Sequence, residues 1–180
     1  MVAAAITRGD VLIRNCVPDH VKPVIAKLME CGVTVNDEVE GLRVRGDIRK
    51  LVATDIKTMP YPGFPTDMQA LFMALLSTVD GASTVIETVF ENRFMHAAEL
   101  SRMGANIKVN GRTAIVPGKN PLVGAQVIST DLRAGAALVL AGLMAKGTTE
   151  ISEIYHIERG YDSFMEKLVS LGANIRRCED

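Results

Sequence analysis

Three stretches of this chain share one spacing of glycines, and that repeat restricts the fold more than any other feature. Gly9 is followed 23 residues later by Gly32, Gly81 by Gly104 at the same distance, and Gly147 by Gly172 after 25 residues. Each second glycine has a leucine four residues before it: Leu28, Leu100 and Leu168. Fourteen residues further on, the first two units close with Val-x-Gly, at Val44-Arg45-Gly46 and Val116-Pro117-Gly118. The same step in the third unit leads to position 186, past the 180 residues of the chain.

The hydrophobic period changes in the same order inside each unit. After the first glycine come runs rich in β-branched residues, VLI, STVIETV and TTEISEI, which read as strands. A helical period follows. In the first unit Val21, Val24, Ile25, Leu28 and Met29 recur at i, i+3, i+4, i+7 and i+8, with Pro23 tolerated in the first turn. The glycine after the leucine ends the helix, because it takes the left-handed conformation without a Cβ penalty. Two strands then pair across a turn, as ANIKV and RTAIV do around Asn110-Gly111.

Another strand and helix precede the second and third units: LVATDIK and AQVIS as strands, 67–79 and 131–146 as helices. The full unit is therefore β-α-β-α-β-β, and its final hairpin predicts mixed sheets rather than a parallel one. The first unit opens with AAAITRGD, the tail of such a helix, and the third lacks its last strand. We expect one α/β domain over 1–180, with units about 1–46, 47–118 and 119–180, cut from a longer polypeptide. Each unit turns one helix inward. The segment AGAALVLAGLMA (134–145), apolar nearly all round, suits that place.

Composition narrows the function. Lys plus Arg (20) balances Asp plus Glu (21) with no block of like charge, which excludes the broad basic footprint of a nucleic-acid binder or an anionic-membrane binder. The longest apolar run is too short for a membrane span, and the N-terminus has no signal-peptide pattern. Cys16, Cys31 and Cys178 are odd in number and widely spaced, so a reducing, cytoplasmic setting is expected. His20, His96 and His156 are scattered over the three units and form no metal motif; no cofactor signature is present.

The chemistry rests on symmetry. Thr66-Asp67 and Thr130-Asp131 occupy one position in successive units, just ahead of a long helix. Either they cap those helices, or the two carboxylates face one cleft, where one acts as general base. Arg93 and Arg159 both lie 12 residues after the unit's first glycine, ahead of the second helix. Either they are solvated arginines at a helix start, which the helix dipole makes somewhat unfavourable, or their guanidinium groups help to hold a phosphate or carboxylate there. Arg133 adds to that site or pairs with Asp131. The loop YPGFP (61–65) lies in an insertion, since Gly46 to Asp67 spans 21 residues and Gly118 to Asp131 only 13. Its prolines limit its freedom next to Asp67.

At FPTDMQA (64–70), ENRFMHAAELSRMGA (91–105), STDLRAGAALVLAGLMAKGTT (129–149) and IYHIERGYDSFMEKLVSLGANI (154–175) the sequence resembles the C-terminal part of the UDP-N-acetylglucosamine 1-carboxyvinyltransferases. These are enolpyruvyl transferases that open bacterial peptidoglycan synthesis. The similarity runs over essentially the whole chain and less than half of the family's protein. It implies an inside-out α/β barrel of two such domains with the active site between them. The partner domain, with its reactive cysteine and most nucleotide contacts, and the N-terminal strand that closes this domain would then lie outside the chain.

Carried over residue by residue, Asp67 resembles the acid that binds the sugar's 3-hydroxyl and takes its proton as oxygen attacks C2 of phosphoenolpyruvate. Asp131 resembles a second carboxylate facing the developing cationic centre. Arg159 resembles a phosphoenolpyruvate-binding arginine, Arg93 a nearby anion-site arginine, and Val89 and Phe90 the backbone that contacts the sugar nucleotide. The resemblance implies no cofactor and no metal. A sister transferase acting on shikimate 3-phosphate and a non-catalytic binding paralogue are the alternatives; retention of the charged positions speaks against the second.

Overall fold

The computed structural model describes residues 1–46 and 50–178. The unit boundary drawn at 46/47 therefore borders residues 47–49, which lie outside the described residues, as does the end of the third unit at 179–180. The elements follow the repeat. The first unit holds α1 (Val2–Ile6), β1 (Asp10–Arg14), α2 (Lys22–Glu30), β2 (Thr34–Glu38) and β3 (Gly41–Arg45). The second holds β4 (Ile56–Lys57), α3 (Gln69–Leu76), β5 (Ala82–Ile86), α4 (Met95–Arg102), β6 (Lys108–Asn110) and β7 (Thr113–Pro117). The third holds β8 (Gln126–Ile128), α5 (Leu132–Gly142), β9 (Glu150–Ser152), α6 (Tyr155–Glu158) and α7 (Phe164–Ser170).

Among the described residues the strands form three separate sheets, ordered β1-β3-β2, β4-β5-β7-β6 and β8-β9. They do not close into a barrel. The second sheet shows the complete unit: β4 runs parallel to β5, and β5-β7 and β7-β6 are antiparallel. The first sheet is the antiparallel part of that pattern and the third its parallel part. The sheets are mixed because each unit ends in a hairpin.

The three inward helices are α1, α3 and α5, and each packs on the other two. Every residue of α3 is buried, as are Ala134 to Leu138 of α5 and Val2, Ala4, Ala5 and Ile6 of α1. Burying a side chain such as Phe72 or Leu76 contributes about 1.5–3 kcal/mol against the exposed state. The small residues of α5 let the helices approach closely. No helix among the described residues is long and apolar enough to cross a membrane.

The glycine landmarks have two physical causes. Gly32, Gly104 and Gly172 take φ of +92°, +95° and +97° at the ends of α2, α4 and α7. In each case the following N–H bonds back to the conserved-spacing leucine, as Ala105 does to the Leu100 carbonyl at 3.0 Å. Gly118 is required by proximity: a Cβ there would lie 2.0 Å from the Val79 carbonyl oxygen, and one at Gly46 would lie 2.7 Å from that of Ala4. At this point each hairpin crosses the end of an inward helix.

Several boundaries differ from the sequence reading. The corner of the second hairpin is Gly111-Arg112, with Asn110 paired to Thr113, because only the first corner residue needs positive φ and Gly111 supplies it. The run 51–57 forms a strand only at Ile56–Lys57. The second helix of the third unit, α7, begins only at Phe164 after the left-handed Ser163, and an additional short helix, α6, precedes Arg159. The segment 173–178 is not a strand.

Candidate active site

The two repeated acids have different tasks. Asp131 caps α5: its Oδ1 accepts from the N–H of Arg133 at 2.8 Å and of Ala134 at 3.1 Å. Such a cap is worth about 1 kcal/mol. Asp67 caps nothing. It sits in a 3-10 turn, Thr66–Met68, that Pro65 leads into and that delays the start of α3 by two residues. Its carboxylate is more than half exposed, and its Oδ1 accepts from Nε of Arg133 at 2.7 Å and from Arg93 at 3.1 Å.

Three segments thus meet at one oxygen: the turn ahead of α3, the loop ahead of α4 and the first turn of α5. Arg133 links the two acids, with its backbone on Asp131 and its guanidinium on Asp67. The hydrogen bond to Asp67 raises Arg133 above its ordinary pKa against the opposing effect of burial. Arg93 lies over the ring of Phe90, 4.9 Å from its centroid. Oδ2 of Asp131 stays without a bond among the described residues, so capping leaves half of that carboxylate available.

Arg159 is not brought to this cluster. It closes the short α6, exposed, and makes no hydrogen bond or ion pair to Asp67, Arg93, Arg133 or Asp131. Arg159 still precedes α7, but the added turn of α6 makes it a helix end as well, where a cation agrees with the backbone dipole. Val89 and Phe90 follow β5, next to the cluster. Their N–H groups are both taken by Glu87, at 2.8 and 3.0 Å, and no donor among the described residues bonds their carbonyls, which remain as backbone acceptors for a ligand. The YPGFP loop is anchored by Phe64, buried edge-on against Phe72 at 5.0 Å, and it holds Asp67 three residues further along.

Sequence reasoning missed two residues here. Tyr161 is half-buried and packs on Phe164. Burial pushes its phenol up, Arg133 pulls it down and Asp67 pushes it up again, so it lies within electrostatic reach of the pair. No motif signalled it. Glu87 is buried, and a signal did exist: in STVIETV it shares the inward parity of Ser83 and Val85, both buried.

Behind the cluster His96 is 2% exposed, with Nε2 3.2 Å from Sδ of Met73. Burial lowers its pKa to about 4, against the opposing attraction of Asp131. A histidine held neutral in the folded state is protonated more readily when unfolded, so stability is lost as pH falls from about 6.5 towards 4. The loss is expected to be on the order of 3 kcal/mol, and urea midpoints measured across that range should show a shallower slope in His96→Gln. An unchanged slope would place the loss elsewhere.

The family model for EPSP synthase (3-phosphoshikimate 1-carboxyvinyltransferase) matches residues 1–168. The chain is 62% identical over 177 residues to UDP-N-acetylglucosamine 1-carboxyvinyltransferase 1 of Caldanaerobacter subterraneus subsp. tengcongensis, covering 98% of this chain and 42% of that protein. It is 57% identical over 181 residues to UDP-N-acetylglucosamine 1-carboxyvinyltransferase of Finegoldia magna, covering 99% and 43%. The crystal structure of the enolpyruvyl transferase NikO from Streptomyces tendae superposes with a TM-score of 0.86 at 30% identity, over 97% of this chain and 42% of that one. EPSP synthase from Acinetobacter baumannii gives 0.78 at 21% identity over 99% and 45%, a likeness of fold alone. The chain spans less than half the length of each.

Proposed function

The chain belongs to the EPSP synthase (3-phosphoshikimate 1-carboxyvinyltransferase) family, and from that premise we propose that it is one domain of a larger enolpyruvyl transferase. The whole protein moves the enolpyruvyl group of phosphoenolpyruvate to the 3-hydroxyl of UDP-N-acetylglucosamine and releases phosphate, a cytoplasmic step that opens peptidoglycan synthesis. The observation that carries this reading is the exposed Asp67 carboxylate held between Arg93 and Arg133, beside the open carbonyls of Val89 and Phe90. The names of relatives at 56–62% identity favour the sugar nucleotide over shikimate 3-phosphate as acceptor.

In that reaction Asp67 takes the hydroxyl proton as the sugar oxygen attacks C2 and a proton is added at C3; the adduct then loses phosphate from C2 and a proton from C3, which restores the double bond. An ordinary carboxylate is a weak base for a free hydroxyl, so the transfer is concerted with attack and depends on placement. The free oxygen of Asp131 faces the positive charge that develops at C2. The arginines offer hydrogen bonds to the donor's carboxylate and phosphate as phosphate leaves. Arg159 reaches that anion from the end of α6 once the donor and the partner domain are in place.

Titration of the full-length protein with each acceptor tests the reading. Binding and phosphate release with UDP-N-acetylglucosamine are expected, and neither with shikimate 3-phosphate; the reverse result refutes the acceptor. The isolated 180 residues are expected to release no phosphate, because the partner domain supplies further anion contacts.

A further inference from the structure

Glu87 is 1% exposed, yet among the described residues no cation pairs with it. Four neutral donors surround its carboxylate instead. Oε1 accepts from the Thr58 hydroxyl at 2.9 Å and from the N–H groups of Val89 and Phe90 at 2.8 and 3.0 Å, and Oε2 accepts from the Thr66 hydroxyl at 2.9 Å. Burying an ionised carboxylate is costly unless its lone pairs are satisfied, and here they are met by three segments at once. These are the residue that follows β4, the turn that carries Asp67, and the turn that leads from β5 to Arg93. Thr58 adds a second tie, since its hydroxyl also accepts from the Thr88 N–H at 2.9 Å.

The repeat shows that the fold does not require this arrangement. Six residues after Gly9 and Gly147, at the positions equivalent to Glu87, stand Asn15 and Glu153. Both are exposed and left-handed, with φ of +53° and +57°. The third unit even has the same residue type and turns it to solvent. Only in the unit that carries Asp67 and Arg93 is the acid folded inward and surrounded by donors.

We propose that Glu87 is a positioning residue of this site. Its carboxylate consumes the N–H groups of Val89 and Phe90, which fixes the turn with the two carbonyls outward, and it pins Thr66 so that Asp67 is presented to Arg93 and Arg133 in one geometry. Glu87 touches no substrate. For the identity of the acceptor the inference rests on the transferase reading above, but the geometry of the turn does not.

The test uses Glu87→Gln and Glu87→Ala with two readouts. Amide hydrogen exchange of the chain is expected to show Val89 and Phe90 strongly protected in the wild type. In Glu87→Ala their exchange should rise by about 100-fold or more, while the β7 amide of Ala114 stays within a few fold. Glu87→Gln keeps an acceptor of the same length and should retain most of the protection. In the full-length protein, acceptor affinity should fall by about tenfold in Glu87→Ala and be largely rescued in Glu87→Gln, with kcat lowered less than affinity. Uniformly faster exchange across the chain would reduce Glu87 to a structural residue and overturn the proposal. So would unprotected Val89 and Phe90 amides in the wild type, a result available even if Glu87→Ala does not fold. If the wild type binds no UDP-N-acetylglucosamine while the exchange results hold, the acceptor assignment fails and the positioning role stands.

Discussion

Replacing Asp67 with asparagine in a full-length transferase that carries these residues is expected to lower kcat by roughly 10²–10⁴ while acceptor binding changes little. The amide has the carboxylate's shape, and its oxygen still accepts from Arg133 at the 2.7 Å contact. It cannot take a proton from the acceptor hydroxyl. An unaltered KM with a collapsed kcat identifies a group that acts in the transition state rather than in binding. Asp67→Ala should behave differently, since it also leaves Arg93 and Arg133 without their shared partner and so weakens binding. Steady-state kinetics of both variants check this, and unchanged turnover in Asp67→Asn removes Asp67 from the mechanism.

The largest stability effect is expected at Phe72. It lies in α3 with no exposed surface, edge-on to Phe64. Phe72→Ala should cost about 3–5 kcal/mol through lost burial and the cavity left behind. Of that loss, about 0.5–1.5 kcal/mol belongs to the ring pair. A denaturant midpoint series on wild type, Phe72→Leu and Phe72→Ala measures the effect, with the leucine variant intermediate. A shift under about 1 kcal/mol for the alanine variant would show that the ring pair does not anchor the loop. Because Phe64 stands three residues before Asp67, the same variant should loosen the turn that presents the carboxylate.

The parts of the fold that were legible in the sequence are those set by local chemistry. The glycines that end α2, α4 and α7 announce themselves through spacing and a leucine, because both the left-handed cap and its back-bonded carbonyl lie within six residues. The inward helices were visible as apolar runs. The division of labour between Asp67 and Asp131 was not. Both follow a threonine and precede a helix, and the difference comes from Pro65 and the 3-10 turn on one side and from the reach of Arg133 across 66 residues of sequence on the other. Arg159 shares a repeat position with Arg93, but only the third unit has the short α6 directly before that position, and no spacing in the sequence announces it. Glu87 was readable only by strand parity, which says that it points inward and not what it holds.

Repeat proteins usually stack in a line, so that each unit touches only its neighbours and an end unit can fray or be removed without disturbing the rest. In this chain α1, α3 and α5 form a closed ring of contacts in which every unit's helix meets both others. No unit is terminal in that sense. Loss of α1 strips a wall from α3 and α5 together, and with them the two helix starts that bring Arg133 to Asp67. Unfolding should therefore be a single event seen alike by probes in all three units, and the catalytic geometry should vanish at the midpoint of that transition rather than before it.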